Sequence, residues 1–455
     1  MLQILTASSI APVSSGGFEI IYNLILEEDD HPDVEVHILN APSSTTEFTF
    51  GLISGGVFGA IRDLKMVFKE IEVESEDSGP LNWRWRGDRG IIVNNGTNIN
   101  FTVKYQIDAL NFGRNSDSSA MGEEERFVVF RAKRIFFIAG DVFLLPKSEP
   151  QNITVEYSLP ENTKLYSSLI KEDEKFIATT DLWGNILYDF QKAYFTGGEV
   201  MFSLTHDTEW GDKYIYIWFD RDITEEAWLP SYGNTPWEQA EEYMQDTEMF
   251  AKYYREVSMG PLPPHIVLFT NVIPSGEDFP GVQQHEDWFH YMQIWPINSQ
   301  SENCHHVFHQ YSFWLSQSKL PFDRNRNIGN YFAEGLPTYF ENTIPTIILN
   351  DDRYQGKLFE YFVLDARGKK FGIKENNYHI KYNMSTMKVY LLDQYIREKT
   401  NNEKCLADFT REMWDQVKDN EKPAEVPESQ IINAFKNVVG ESNKDYLLSL
   451  SQLND

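Results

Sequence analysis

Alternation of polar and apolar residues dominates the first half of this 455-residue chain. Runs rich in β-branched and aromatic residues lie at 101–107, 126–140, 153–159, 199–204 and 213–219. Gly, Asn, Asp and Pro separate these runs, and a period of two is typical of strands with one buried face. The pattern predicts an N-terminal domain of antiparallel sheets packed face to face over residues 1–220. Trp83 and Trp85 alternate in the same way and are expected to belong to a sheet, whereas the polar stretch Asn115–Glu125 is expected to form a mobile loop.

Helical signals begin after residue 220. Thr235 and Glu238 have the spacing of a capping box, and Pro236 stands at the first helical position, where proline is tolerated. These residues predict a helix that runs to about Val257. The apolar run 265–270 then predicts a buried strand.

Two further helices are expected in the middle of the chain, and more follow. Ser299 and Glu302 form a second capping-box pattern, which predicts a helix over about 300–315. Another helix is expected to include Glu334 and Tyr339, and residues from about Thr346 onward favour helices. The overall prediction is an α+β protein with three domains, 1–220, 221–345 and 346–455.

Charge and composition narrow the possible partners. The chain carries 69 acidic and 40 basic side chains, a net charge of −29, which disfavours nucleic acid and anionic membranes as partners. Its two cysteines are too few for a disulfide framework. The N-terminus does not resemble a signal peptide, and no apolar run reaches the roughly 18 residues of a membrane-spanning helix. These features predict a soluble cytoplasmic protein.

Histidines cluster in the segment that follows the second capping box. His305 and His309 are four apart, so on a helix both can face one metal ion, and zinc binds such nitrogens at about 2.0–2.1 Å. The spacing alone is equally compatible with two ordinary histidines on a partly buried helix. His285 and His290 are five apart and are interpreted as structural or cleft-lining residues. Cys304 is interpreted as a packing residue.

Two residues further along the chain strengthen the interpretation of this segment as part of a metal site. Glu334 lies in Glu-Gly-Leu-Pro-Thr-Tyr-Phe-Glu on the next predicted helix, and Tyr382 precedes a later one. Together with the two histidines, this arrangement resembles gluzincin metallopeptidases, most closely the glycyl aminopeptidase family and more distantly aminopeptidase N and leukotriene hydrolase. The resemblance covers nearly the whole chain, and includes the segments 58–64, 321–323 and 390–400.

The resemblance implies a fold, a cofactor and roles for particular residues. It implies a thermolysin-like central domain in which His305, His309 and Glu334 hold zinc and Tyr382 stabilises an oxyanion. In these families a His-Glu-x-x-His motif supplies the general base, but His306 stands at that position here. The Gly-x-Glu-His pattern that contacts a substrate amine is replaced by a segment in which Gly281 and Gln283 are expected to bind substrate.

Three interpretations of His306 remain open at this point. It is a substitute base in an unusual hydrolase, or the site binds metal without hydrolysing peptides, or the imidazole joins the coordination. Adjacent helical residues point about 100° apart, which disfavours the third interpretation. The first predicts a zinc-dependent, metallopeptidase-like hydrolase acting on a peptide or small molecule. The second predicts a catalytically silent metal-binding pseudo-peptidase that serves as a binding or scaffold protein.

Overall fold

The computed structural model describes most of the chain, with gaps. The described residues are 17–27, 31–50, 68–87, 90–108, 129–131, 134–178, 186–191, 193–219, 235–260, 266–271, 285–287, 290–295, 304–305, 307–308, 311, 335–349, 378–418, 428–440 and 445–447. The segment 115–125, expected to be a mobile loop, lies outside them. Contacts divide the chain into two compact units, one of Met1–Val200 with Gly276–Pro280 and one of Met201–Ser275 with Gly281–Asp455. The three-domain division remains a prediction.

The first unit is rich in strands, as its alternating sequence predicts. Its strands are β1 (Glu19–Ile25), β2 (Asp33–Leu39), β3 (Thr45–Phe50), β4 (Phe68–Ser75), β5 (Gly79–Pro80), β6 (Asn82–Trp85), β7 (Gly90–Asn94), β8 (Phe101–Ile107), β9 (Val129–Arg131), β10 (Arg134–Ile138), β11 (Leu144–Pro146), β12 (Asn152–Ser158), β13 (Thr163–Ser167), β14 (Ile170–Glu172), β15 (Lys175–Ala178) and the start of β16 (Tyr194–Asp207). Two short helices accompany them, α1 (Ala139–Val142) and α2 (Ile186–Gln191). Trp83 and Trp85 both lie in β6, as expected.

Period-two burial explains how these strands form sheets. In β8 every second side chain is buried, from Phe101 to Ile107. One sheet has the order β14-β15-β12-β1-β2-β8-β4-β5, and another has the order β11-β3-β7-β6. Most neighbours are antiparallel, but β1 pairs parallel with β12, which corrects the expectation of purely antiparallel sheets. A long stretch of chain separates these two strands, and such a connection allows a parallel return.

The second unit combines a sheet with helices. It contains the end of β16, then β17 (Lys213–Phe219), β18 (Ile266–Asn271), β19 (His285–Asp287) and β20 (His290–Trp295). Strands β17, β18 and β20 run parallel, and β19 pairs antiparallel with β20. The predicted strand 265–270 corresponds closely to β18, whose Val267, Leu268 and Phe269 are buried.

Helix α3 (Pro236–Tyr253) begins as its sequence predicts. The Glu238 amide donates to Thr235 Oγ1 over 3.2 Å, and the Thr235 amide donates to Glu238 Oε2 over 2.9 Å. Both bonds satisfy amides that a helix start leaves without intrahelical partners. The helical path continues through Tyr254–Ser258, a single π-helical segment called the π-turn below. The predicted end near Val257 is therefore confirmed.

The described parts of the C-terminal region are mainly helical, as predicted. Its helices are α4 (Leu336–Leu349), α5 (Tyr378–Lys399), α6 (Leu406–Val417) and α7 (Glu428–Val439). They bury apolar side chains such as Phe340, Leu392, Phe409 and Phe435. Of the helices in the described ranges, none has both the length and the apolar character needed to cross a membrane.

Candidate metal-binding site

The histidine segment is helical and buried wherever the structure describes it. Cys304, His305, Val307, Phe308 and Tyr311 have helical backbones, which confirms the predicted helix at these positions. His305 is buried together with the apolar residues of the segment. His306 and His309, the predicted base and the second predicted ligand, lie outside the described residues.

A short bond to a carboxylate orients the ring of His305. Its Nδ1 lies 2.6 Å from Glu341 Oε2 on α4, and both side chains are largely buried. An ionised carboxylate can only accept hydrogen bonds, so Nδ1 is the donor. In the neutral ring the lone pair is then on Nε2. Asn342 Nδ2 donates to the other carboxylate oxygen, Glu341 Oε1, over 3.3 Å.

This arrangement fits a histidine that ligates a metal. Such histidines usually donate their second ring nitrogen to a carboxylate or carbonyl group, which sets the tautomer and raises the basicity of the ligand. His305 and Glu341 have this geometry, and a histidine nitrogen suits zinc. The sequence interpretation overlooked Glu341. Glu341 stands seven residues after Glu334, and on a helix residues seven apart share one face. This spacing was the feature of the sequence that could have pointed to Glu341.

Cys304, the residue before His305, is fully buried. Its Sγ lies 3.1 Å from the Tyr254 hydroxyl and donates to the Phe340 carbonyl over 3.8 Å. Burial raises the pKa of the Cys304 thiol, and the hydrogen bond with Tyr254 lowers it in part. A buried thiol with a raised pKa stays protonated and inert near neutral pH. This surrounding agrees with the packing role expected from the sequence.

Close backbone contact brings the start of α4 against α5. A Cβ added to Gly335 would lie 2.8 Å from the carbonyl carbon and oxygen of Ser385 and 3.0 Å from its Cβ. Glycine at this position allows the two helices to approach. Glu334, the residue before Gly335, lies outside the described residues, so the predicted ligand itself is not placed.

The position of Tyr382 differs from the expectation. It was expected to precede a helix, but α5 begins at Tyr378 and includes it. The resembling families have Lys-Gly shortly after this tyrosine, whereas here Met384 and Ser385 follow, and neither residue breaks a helix. The backbone of Tyr382 is thus one turn from Ser385, which touches Gly335. The side chain of Tyr382 lies outside the described part of the structure.

A buried carboxylate joins three of the helices near this contact. Asp393 on α5 accepts from the Tyr339 hydroxyl of α4 over 2.8 Å and from the Leu406 amide of α6 over 2.6 Å. Arg397 Nε donates to the same Asp393 oxygen as Tyr339, over 2.7 Å. Burial, followed by the nearby charge of Asp393, raises the pKa of the Tyr339 phenol. Asp393 therefore stabilises the packing of α4, which carries Glu341.

The remaining predicted site residues are only partly placed. Gly281 and Gln283 lie outside the described residues. His285 and His290 lie in β19 and β20, but their side chains are not among those described. Among the described residues, no group of three or more His, Cys, Asp or Glu side chains could hold a metal ion. The complete set of ligands therefore remains a prediction.

The fold is similar to that of zinc metallopeptidases. An aminopeptidase N family protein from Idiomarina loihiensis superposes with a TM-score of 0.66 at 15% identity, covering 95% of this chain and 75% of that one. An M1 zinc metallopeptidase from Deinococcus radiodurans gives a TM-score of 0.55 at 11% identity, covering 96% and 93% of the two chains. A mutant of that peptidase bound to a Tyr-Ser-Ala substrate gives 0.56 at 11% identity with the same coverage.

These likenesses establish the fold. No protein-family model and no curated protein matches the sequence. The mixed α+β architecture, with N-terminal sheets and C-terminal helices, is consistent with that of M1 metallopeptidases, which supports the gluzincin-like fold expected from the sequence. The thermolysin-like central domain and the closer resemblance to glycyl aminopeptidases remain predictions.

Proposed function

We propose that this protein is a zinc-dependent, metallopeptidase-like hydrolase whose ligands are His305, His309 and Glu334. The observation that carries the proposal is the bond from His305 Nδ1 to Glu341 Oε2, at 2.6 Å in a buried setting. A carboxylate that orients a histidine on a helix, within a fold similar to zinc metallopeptidases, is the usual surrounding of a metal ligand.

The other site residues have proposed roles in the same reaction. Zinc, when bound, supplies Lewis-acid activation of water and of a carbonyl group. His306 would accept a proton from the attacking water at a ring nitrogen, since neutral imidazole is a base with an unperturbed pKa near 6.5. Tyr382 would donate its phenolic hydrogen to the oxygen that becomes negative. Gly281 and Gln283 would line the substrate site.

The proposed substrate is a peptide or a small molecule with a related hydrolysable bond. One of the similar structures binds a Tyr-Ser-Ala substrate, which supports a peptide. Gln283 is neutral, so it lacks the charge with which a carboxylate would hold a substrate amine. We therefore expect weak or absent hydrolysis of ordinary aminoacyl substrates such as glycyl and alanyl derivatives.

A second candidate function is supported by the residue at the base position. Histidine at 306 adds no negative charge to attract the proton of a water molecule, whereas a carboxylate does. If this change, together with Gln283, abolishes turnover, the protein is a catalytically silent metal-binding pseudo-peptidase. It would then act through binding, as a scaffold or partner for other molecules.

Substitution of His306 separates the two functions. The wild type, His306→Ala and His306→Glu are loaded with zinc and tested on a panel of peptides, esters and epoxides. A hydrolase with a working His306 loses its activity in His306→Ala and keeps its zinc, whereas His306→Glu gains peptide hydrolysis. If all three retain zinc and none hydrolyses any member of the panel, the hydrolase proposal fails and the silent metal-binding function replaces it.

A further inference from the structure

The π-turn contacts the helix that carries His305. Tyr254, its first residue, is fully buried, and its hydroxyl donates to the Cys304 carbonyl over 3.1 Å. The same hydroxyl oxygen is 3.1 Å from Cys304 Sγ. One side chain thus contacts both the backbone and the side chain of the residue that precedes His305.

The contacts of Cys304 run beside those of His305. Cys304 Sγ reaches the carbonyl of Phe340, and His305 Nδ1 reaches the carboxylate of Glu341, the next residue on α4. Two consecutive residues of one helix therefore face two consecutive residues of the other. The Tyr254 hydroxyl thus contacts the residue adjacent to His305, on the helix from which His305 reaches Glu341.

The ring of Tyr254 also packs against two other aromatic rings. Its ring centroid lies 5.2 Å from that of Phe308 and 6.0 Å from that of Phe340, while Phe308 and Phe340 are 5.0 Å apart. The three rings therefore link the π-turn, the histidine segment and α4. Aromatic contacts at these distances resist small displacements, because protein interiors are close-packed.

Helix α6 also makes hydrogen bonds with the π-turn. Ser258 Oγ lies 2.6 Å from Thr410 Oγ1, and Arg411 Nη1 donates to the Arg255 carbonyl over 3.0 Å. The added hydrogen bonds suit a π-helical segment, whose backbone geometry departs from the regular α-helix and which is frequently found at functional sites. These hydrogen bonds stabilise the backbone segment that carries Tyr254.

We propose that Tyr254 is a positioning residue for the metal ligand His305, acting through Cys304 to align His305 with Glu341. The inference rests on the proposed zinc site and adds to it a residue that has no contact with the metal. Groups that orient a ligand typically change metal affinity by about 10–100-fold when they are altered. Removing only the hydroxyl of Tyr254 should therefore weaken zinc binding while the ring continues to fill its space.

The test compares zinc affinity in five proteins by competition with a chromophoric chelator. They are the wild type, Tyr254→Phe, Glu341→Gln, the double variant Tyr254→Phe/Glu341→Gln, and Tyr253→Phe as a matched control. The control removes the hydroxyl of the neighbouring tyrosine, whose ring contacts Tyr254. Unfolding midpoints of the metal-free proteins and visible spectra of the cobalt-loaded proteins are recorded alongside.

The outcomes distinguish failure of this inference from failure of the proposed function. We expect about tenfold weaker zinc binding and an altered cobalt spectrum in Tyr254→Phe, a similar loss in Glu341→Gln, and little further loss in the double variant, since residues acting through one contact are not additive. Tyr253→Phe should match the wild type. The inference is overturned by unchanged zinc affinity in Tyr254→Phe, by multiplying losses in the double variant, or by an equal loss in Tyr253→Phe. A wild type that binds neither zinc nor cobalt overturns the proposed function itself, and this inference with it.

Discussion

Replacing Gly335 with alanine tests the close approach of α4 and α5. The added Cβ would lie 2.8 Å from backbone atoms of Ser385, whereas ordinary contacts begin at 3.4 Å, a shortfall of 3.4 − 2.8, or about 0.6 Å. Backbone atoms cannot rotate away as a flexible side chain can, so the helices must separate. Overpacking of this kind typically lowers the free energy of unfolding by about 1–3 kcal/mol. The better helix propensity of alanine offsets up to about 1 kcal/mol of this loss.

The expected net effect on Gly335→Ala is a loss of about 1–2 kcal/mol in the free energy of unfolding. For a unit of this size that corresponds to a decrease of about 2–8 °C in the midpoint of thermal unfolding. Circular dichroism on the metal-free protein measures it. Ile347→Ala, at a strongly exposed position on the same helix, is the control and should change the free energy by less than about 0.5 kcal/mol. A midpoint for Gly335→Ala equal to or above that of the wild type would refute the steric argument.

Three further predictions concern stability and are measured by urea unfolding followed by tryptophan fluorescence. Asp393→Ala removes the acceptor of the buried Leu406 amide and should lower the free energy of unfolding by about 3 kcal/mol. A loss below about 1 kcal/mol would contradict the conclusion that Asp393 stabilises the packing of these helices. Thr235→Ala should lower it by about 1 kcal/mol through loss of the capping box, while Thr235→Ser should retain it. Burial raises the pKa of Tyr22 and Tyr214 above the usual value of 10.0, so the unfolded chain releases these protons first. Stability should therefore be constant below about pH 10 with respect to these groups and fall above it, and a free energy that rises between pH 10 and 11 would contradict this sign.

Local signals in the sequence predicted much of the secondary structure. The capping box of Thr235 placed the start of α3, because both of its bonds form between residues close in the chain. Alternation in 101–107 predicted β8 for a similar reason, since one buried face imposes a period of two. The parallel pairing of β1 with β12 was missed, because strand direction depends on where a distant segment returns and not on either strand alone.

In the candidate site, too, patterns between residues close in sequence could be predicted, whereas contacts between distant residues could not. Four-residue spacing and family order made His305 a candidate ligand, and the structure adds Glu341 as its hydrogen-bond partner. That pairing joins residues on separate helices, so it required the packing of those helices. Tyr382 was expected to precede its helix, but α5 begins at Tyr378, four residues before it. Tyr254 belongs to no motif, because the role proposed for it rests on contacts between residues distant in sequence.

Zinc content tests the central claim most directly. Wild type, His309→Ala and a control, His206→Ala, are equilibrated with buffered zinc, passed through a desalting column and analysed by mass spectrometry of the metal. His206 lies in β16 and pairs with Glu248, away from the histidine segment in sequence. The account predicts about one zinc per chain in the wild type and in His206→Ala, and a large loss in His309→Ala. Equal zinc content in all three proteins, or none in the wild type, would contradict it.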